Sequence, residues 1–420
     1  MSNIKSLVII SLVCGLYASS AAMVVDNRYF PLFPVPYSRT VEQPSRFGVD
    51  LFFMTAEKGY GDREEDVGLP EIFGFYDQSK ESQAMIALGF PSPLLDEWRL
   101  FDIQWFMQGR LQAQGISFCY DQALNDRFSL GASWLFMRVD SWNEFRFNHS
   151  SSLKIMPADE LELELERRQM NQILGIGGPL SHQIGFGDID LYLRYGYLEE
   201  YVSKFRRMDV GIKIGALIPS GVVRDINNPS SVPFGGDGFW GIYGTAEGEF
   251  ELKEDLVVGI SLRVSKRFER IKRERVSLVL SPEPQSIIEN SLLYGVLVAP
   301  IRVNPGVTAM VSPYIKLDNV RGGLGFRLRY TLVIHEADEW HDARPIAEQT
   351  VPIPQATLEE KLRWASDYVS LSAFYNLGNY KVDPGMSPTI GVTWDLPSLL
   401  FKAYNISKTH KISLGLELHF

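Results

Sequence analysis

The chain has 420 residues, of which 45% are hydrophobic and 12% aromatic, and its formal net charge is −10. An acidic balance of this size argues against nucleic acid as a partner. There are two cysteines, Cys14 and Cys119, and Cys14 lies in a segment that we expect to be removed. Neither a disulfide framework nor a thiolate metal site is therefore predicted.

The first residues have the features of a secretory signal peptide. Lys5 provides a positive charge, residues 6–16 form an apolar run, and the small residues that follow allow cleavage near Ala22. The alternative is a retained anchor helix, because residues 6–25 carry no charge. The small residues favour cleavage, and the sequence predicts a signal peptide over residues 1–22.

Residues 23–44 are predicted to be a periplasmic N-terminal extension. Within them, residues 27–37 have the sequence NRYFPLFPVPY, whose three prolines exclude an inner strand. The alternative position for this segment is inside the lumen of the domain that follows.

Residues 45–420 are predicted to form one all-β domain, a transmembrane antiparallel β-barrel of twelve strands. The last strand alternates apolar residues with polar or small ones and ends at Phe420. The same alternation recurs at 256–264, where Leu262 belongs to the apolar row and Ser261 to the opposite one. A strand between lipid and an aqueous lumen needs this pattern. The strands are predicted near 45–57, 108–121, 127–139, 184–198, 207–219, 239–252, 256–267, 304–318, 322–335, 366–379, 386–396 and 410–420.

The gaps between these strands are alternately short and long. Outer-membrane barrels have short periplasmic turns and long outer loops, so the long gaps are predicted to be outer loops. Residues 158–174 and 356–364 have the composition of one or two short helices in these loops. Residues 82–90 and 100–108 have the pattern of a further hairpin, which gives fourteen strands as the alternative.

Two stretches resemble a known family of outer-membrane proteins. They are GFGDIDLYLRYGYLEE followed by MDVGIKIGALIPSG, and GFWGIYGTAEGEFELKEDLVVGISLRV, all within residues 184–267. They are similar to consecutive hairpins in transporters of the phenol-degradation outer-membrane family, which is distantly similar to the long-chain fatty-acid and aromatic-hydrocarbon channels. The resemblance implies a β-barrel channel in the bacterial outer membrane for hydrophobic or aromatic solutes. It identifies no binding residue.

The inward rows of the predicted strands contain charges of both signs. Arg194, Arg263, Arg327 and Arg329 are the candidates for ligand binding or selectivity. Arg327 and Arg329 are two residues apart on one face, and Arg263 lies on a strand one removed, which predicts a local positive patch. Such a patch concentrates counter-ions in a confined bore. The alternative is that each arginine pairs with a carboxylate and braces the wall.

No feature of the sequence predicts an enzyme, a cofactor or a metal site. The chain lacks a G-x-S-x-G motif. Residues 335–342, HEADEWHD, match no defined metal loop and are interpreted as a solvated acidic loop. The densest basic run, KRFERIKRER at 266–275, predicts either contact with lipopolysaccharide phosphates and guidance of anions, or ordinary cross-strand ion pairs.

These features together predict an outer-membrane channel for the passive passage of small solutes. The family resemblance implies that hydrophobic or aromatic solutes are among them. The alternative is a structural or surface-interaction barrel without transport. The expected partners are outer-membrane lipid, lipopolysaccharide and, through Phe420, the barrel assembly machinery. The sequence leaves the oligomeric state open.

Overall fold

The computed structural model describes residues 25–34, 39, 43–149, 156–202, 204–278, 291–377 and 387–420, so the predicted signal peptide lies outside the described residues. Its main element is an antiparallel barrel of twelve strands. The strands are β1 (Arg46–Ala56), β2 (Gln104–Ala123), β3 (Phe128–Phe147), β4 (Ile189–Glu200), β5 (Arg207–Ile218), β6 (Gly241–Lys253), β7 (Leu256–Arg267), β8 (Val307–Arg321), β9 (Leu324–His335), β10 (Trp364–Asn376), β11 (Ser387–Pro397) and β12 (His410–His419).

The barrel is closed by its first strand. Each strand pairs with its neighbours in sequence, and Leu51 of β1 lies opposite both Ile116 of β2 and Leu414 of β12. Closure leaves no sheet edge, so the ladder hydrogen bonds of the backbone are satisfied without water, as a structure in lipid requires. The predicted all-β barrel of twelve strands is confirmed.

The side chains alternate between lipid and lumen as predicted. On β12, Ile412 and Leu414 are 52% and 50% exposed on the outside, whereas Lys411 and Ser413 are each 6% exposed on the inside. On β7, Leu262 faces outward and Ser261 lines a cavity of the bore. The outer surface is therefore an apolar belt around a polar interior, the arrangement of outer-membrane barrels.

The fourteen-strand alternative is wrong, because residues 82–87 belong to a helix and residues 88–90 follow its end, so that this segment forms no strand. Helix α1 (Gln78–Ala87) begins after Asp77, whose Oδ1 accepts a hydrogen bond of 3.0 Å from the Ser79 N–H. Its buried side chains, which include Glu81 and Met85, recur at helical spacing. From Gln104 onward, the other half of the predicted hairpin belongs to β2.

The predicted strand near 184–198 is interrupted. Residues 180–186 pair with residues 136–142 of β3, the part nearer the long loops. Strand β4 pairs with residues 128–133, at the other end of β3. Between them, the buried Asp188 accepts hydrogen bonds from the backbone N–H groups of Gly221 and Gly236, at 3.1 and 2.8 Å. These bonds attach a long loop to the wall at the break.

The long loops cover the end of the barrel that outer-membrane proteins turn towards the cell exterior, here called the outer end. Two predicted helices are present there, α2 (Pro157–Ile173) and α3 (Gln355–Leu362). The loops also contain an unpredicted three-stranded sheet of Arg270–Val276, Leu297–Asn304 and Glu339–Asp342. No helix in the described part of the chain is long and apolar enough to span a membrane.

Candidate functional site

The bore is lined by charged side chains, and Arg194 is at the centre of one network. Its guanidinium donates to Asp209 at 2.6 Å and to Glu247. Lys213 lies 2.8 Å from the second oxygen of Glu247, and Arg39, which precedes β1, lies 3.1 Å from Asp209. Buried charges are tolerated only when they are paired, and this network satisfies that condition.

Arg263 lines the same part of the bore as Arg194. It is 3.5 Å from Asp190, and its guanidinium lies 3.6 Å from the ring centroid of Tyr243. A cation over an aromatic face is stabilised by the quadrupole of the ring. Arg194 and Arg263 together line a cavity of about 90 Å³, here called the middle cavity.

Arg329 belongs to a second buried network. Asp395 is 3.3 Å from Arg329 and 3.0 Å from Lys411, and Ser370 donates a hydrogen bond to the same carboxylate. Arg329 also donates to the carbonyl of Pro34 at 2.6 Å. Its guanidinium therefore braces the wall and holds the N-terminal segment.

Arg327 differs from the other candidates. Its Nε is buried without a hydrogen-bond partner among the described residues, and its guanidinium lies 5.7 Å from the Phe374 ring centroid. It lines a cavity of about 410 Å³ at the end opposite the outer loops, here called the lower cavity. Arg263 lines the middle cavity, Arg327 the lower cavity and Arg329 a small cavity of about 20 Å³ beside Asp395, and the positive patch of these three arginines stays a prediction. The alternative prediction was that each arginine pairs with a carboxylate. Arg263 and Arg329 do so, whereas Arg327 has no ion pair among the described residues.

Residues 25–34 lie inside the bore, the second of the two positions considered for this segment. Asp26 pairs with Arg267 near the outer end, and Pro34 contacts Arg329 deeper inside. Phe30 and Leu32 are each 3% exposed and belong to the apolar core under the outer loops. The segment therefore fills much of the lumen.

Three larger cavities and one of about 20 Å³ remain along the bore. An outer cavity of about 150 Å³ is lined by residues 26–29, the middle cavity by Pro34, and the lower cavity by Gln43. Residues 25–34 therefore line the outer and middle cavities. The middle cavity, at about 90 Å³, has the smallest volume of the three larger ones.

The predicted acidic loop 335–342 is partly built into the wall of the outer cavity. His335 lies 2.9 Å from Asp338 and 2.7 Å from the Thr308 hydroxyl, and Trp340 is buried. Among the described residues, no three His, Cys, Asp or Glu side chains are grouped so that they could hold a metal ion.

A buried carboxyl lies in the outer cap, the packed part of the long loops. Glu81 of α1 is fully buried; Tyr76 donates a hydrogen bond to its Oε2, while Oε1 has no partner among the described residues. Burial raises the pKa of Glu81 to about 7, although the Tyr76 hydrogen bond and the charges of Arg167 and Arg275 act to lower it. The neutral form of Glu81 is therefore favoured inside the cap.

We expect the outer cap to loosen as the pH rises. The ordinary pKa of Glu81 is 4.5, so between about pH 4.5 and about pH 7 the folded cap binds more protons than an open one, and its stability falls with pH. Limited proteolysis, normalised for the activity of the protease, should cut the loops faster at pH 8 than at pH 6. Glu81→Gln should remove the difference, and the exposed Glu97→Gln should keep it; an unchanged pH dependence in Glu81→Gln would assign it to another group.

No known protein family matches the sequence, and no curated protein matches it. Solved structures do match. The COG4313 outer membrane channel from Pseudomonas putida F1 is 10% identical, with 92% of this chain and 100% of that chain covered and a TM-score of 0.47. A FadL homologue of Pseudomonas aeruginosa is 8% identical, with 90% and 89% covered and a TM-score of 0.30. The CymD monoaromatic hydrocarbon channel is 9% identical, with 89% of this chain and 87% of that chain covered and a TM-score of 0.31.

Proposed function

We propose that the protein is an outer-membrane channel for the passive passage of small solutes, including hydrophobic or aromatic ones. One observation supports this proposal most strongly: the closed barrel contains three cavities in series along its bore. A barrel that served only as a scaffold has no need of polar cavities along its axis. Cavities of about 90 to 410 Å³ suit small solutes.

Liposome swelling tests the proposal. Liposomes that contain the folded protein should swell in small solutes and progressively less in larger ones, because the cavities along the bore have room only for small molecules. Liposomes with heat-unfolded protein provide the control. Equal rates in both preparations for every solute would favour the structural or surface-interaction barrel.

Arg327 is proposed to bias the lower cavity towards anions, because its charge has no ion pair among the described residues. We expect Arg327→Ser to lower the anion-to-cation permeability ratio, measured as the reversal potential across a salt gradient. The exposed Arg321→Ser, in the neighbouring turn, is the matched control. An unchanged ratio in Arg327→Ser would show that this charge does not set selectivity.

Phe420 is proposed to contact the barrel assembly machinery. Its backbone exchanges two hydrogen bonds with Ser45, of 3.0 and 3.1 Å, and its ring lies 6.5 Å from that of Tyr120. We expect deletion of Phe420 to reduce the heat-modifiable folded protein in outer-membrane fractions, whereas Phe420→Tyr should keep it. A normal yield after the deletion would contradict this role.

Lipopolysaccharide contact is proposed for the exposed face of the outer three-stranded sheet. Arg273 and Arg302 are both exposed, and Arg302 is paired with Ile271, two residues from Arg273. Neighbouring cations suit lipid phosphates. Loss of co-purified lipopolysaccharide in a double serine variant of these arginines is the expected result, and full retention would argue against the contact.

A further inference from the structure

The outer cavity combines aromatic walls with cationic groups. Phe73, Phe239, Trp340 and Trp364 contribute rings to its lining. Its volume is about 150 Å³, and an apolar cavity of about that size holds one benzene molecule. A single aromatic ring therefore fits within it.

Arg28 is the unusual member of this lining. Its guanidinium donates to two backbone carbonyls, those of Lys361 at 3.4 Å and Leu362 at 2.8 Å, and lies 4.6 Å from the ring centroid of Phe73. A guanidinium has five N–H donors, so part of its hydrogen-bonding capacity is unused. Within the described part of the chain, no carboxylate lies within ion-pair distance of Arg28.

The carboxylates of the lining already have partners. Asp26 pairs with Arg267, and Asp338 lies 2.9 Å from His335. Lys272 pairs with both Asp237 and Glu274. Arg28 and Arg275 are the arginines of the lining that have no ion pair among the described residues. Arg275 donates to three backbone carbonyls and to Asn227, whereas Arg28 donates to two carbonyls, so Arg28 has more donor capacity left for an anion from outside.

A second hydrogen-bond donor of the lining is also available to a ligand. The indole N–H of Trp340 is buried and has no acceptor among the described residues. A buried donor without a partner is costly, and a ligand oxygen would satisfy it. Arg28 and Trp340 both line the outer cavity, so one ligand has access to both residues from the same space.

We propose that the outer cavity binds a small aromatic carboxylate, with its ring between the aromatic walls and its carboxylate on the guanidinium of Arg28. The planar guanidinium suits a carboxylate, which accepts two parallel hydrogen bonds from it. This inference rests on the proposed channel function and names the class of solute that the outer cavity selects.

The test compares benzoate with benzyl alcohol, a neutral molecule of similar size. Equilibrium dialysis of the purified full chain should give a dissociation constant for benzoate at least tenfold lower than that for benzyl alcohol. Arg28→Gln should abolish this preference and leave the affinity for benzyl alcohol within about twofold. Trp340→Phe keeps the ring but removes the N–H donor, and it should weaken benzoate binding several-fold. Arg110→Gln, at an exposed arginine outside the cavity, should have no effect.

Equal affinities for the two ligands in the unchanged protein would overturn the proposal. So would a retained benzoate preference in folded Arg28→Gln or, if that variant does not fold, an unchanged affinity for benzoate in Trp340→Phe. Binding is measured without transport, so its failure is distinct from failure of the channel function. If liposomes swell in small solutes but the protein shows no preference for benzoate over benzyl alcohol, only the present inference is contradicted, and the channel function stands.

Discussion

Replacement of Asp395 by asparagine is expected to destabilise the barrel by about 3–5 kcal/mol, the cost of breaking a buried ion pair from one side. The carboxylate of Asp395 is fully buried and lies 3.3 Å from Arg329 and 3.0 Å from Lys411. The substitution leaves two cations inside the bore without their common counter-charge. The measurement is the free energy of unfolding in urea, from folded barrel in lipid vesicles.

Glu144→Gln is the matched control for this substitution. Glu144 lies 3.6 Å from Arg146 on the outer surface, and its side chain is 47% exposed. A solvated pair of this kind contributes only about 0–1 kcal/mol, so the control should remain close to the unchanged protein. Similar losses in both variants would mean that Asp395 is not the centre of a buried network.

Leu262→Arg is expected to be the second severe change. Leu262 faces lipid, where an arginine costs about 2–4 kcal/mol near the middle of the membrane. The adjacent Ser261→Arg points into the polar bore, opposite Glu247 in the pairing of β6 and β7, and lies beside the middle cavity instead of in lipid. The folded yield in vesicles and the urea midpoint should both fall for Leu262→Arg.

The Ser261→Arg variant is the internal control, because it introduces the same residue one position earlier. We expect it to fold with a yield close to that of the unchanged protein. Equal tolerance of both arginines would mean that the two faces of β7 are assigned to the wrong environments.

The barrel was predictable from the sequence because each strand is specified by the pattern of its own residues. Along β7, every second residue must be compatible with lipid, so the positions of Leu262 and Ser261 follow from a pattern of period two. Short turns such as residues 254–255 then order the strands without any knowledge of distant contacts. The inward direction of Arg194, Arg263, Arg327 and Arg329 follows from the same rule.

The partners of these arginines were not predictable, because they lie far apart in sequence. Arg329 and Asp395 are 66 residues apart, and nothing near either residue indicates the other. Arg327 lies on the same face of β9 as Arg329, yet it lacks an ion pair among the described residues. That difference depends on which side chains the closed barrel brings together.

Helix α1 and the position of the N-terminal segment are two further features that the sequence did not predict. The buried face of α1 includes Gln78 and Glu81, so a hydrophobic pattern cannot reveal its helical period. In the N-terminal segment, Tyr29, Phe30 and Phe33 are apolar residues that need a partner surface, and this need was the available signal for burial in the bore. The prolines nearby excluded a strand but could not indicate where the segment lies.

Single-channel conductance in planar bilayers tests the central claim most directly. The full chain should give a small, steady conductance, because residues 25–34 fill much of the bore and line two of its cavities. A chain without residues 25–34 should conduct several-fold more, once heat-modifiability has shown that its barrel is folded. Folded protein that conducts in neither form would contradict the account of a solute channel.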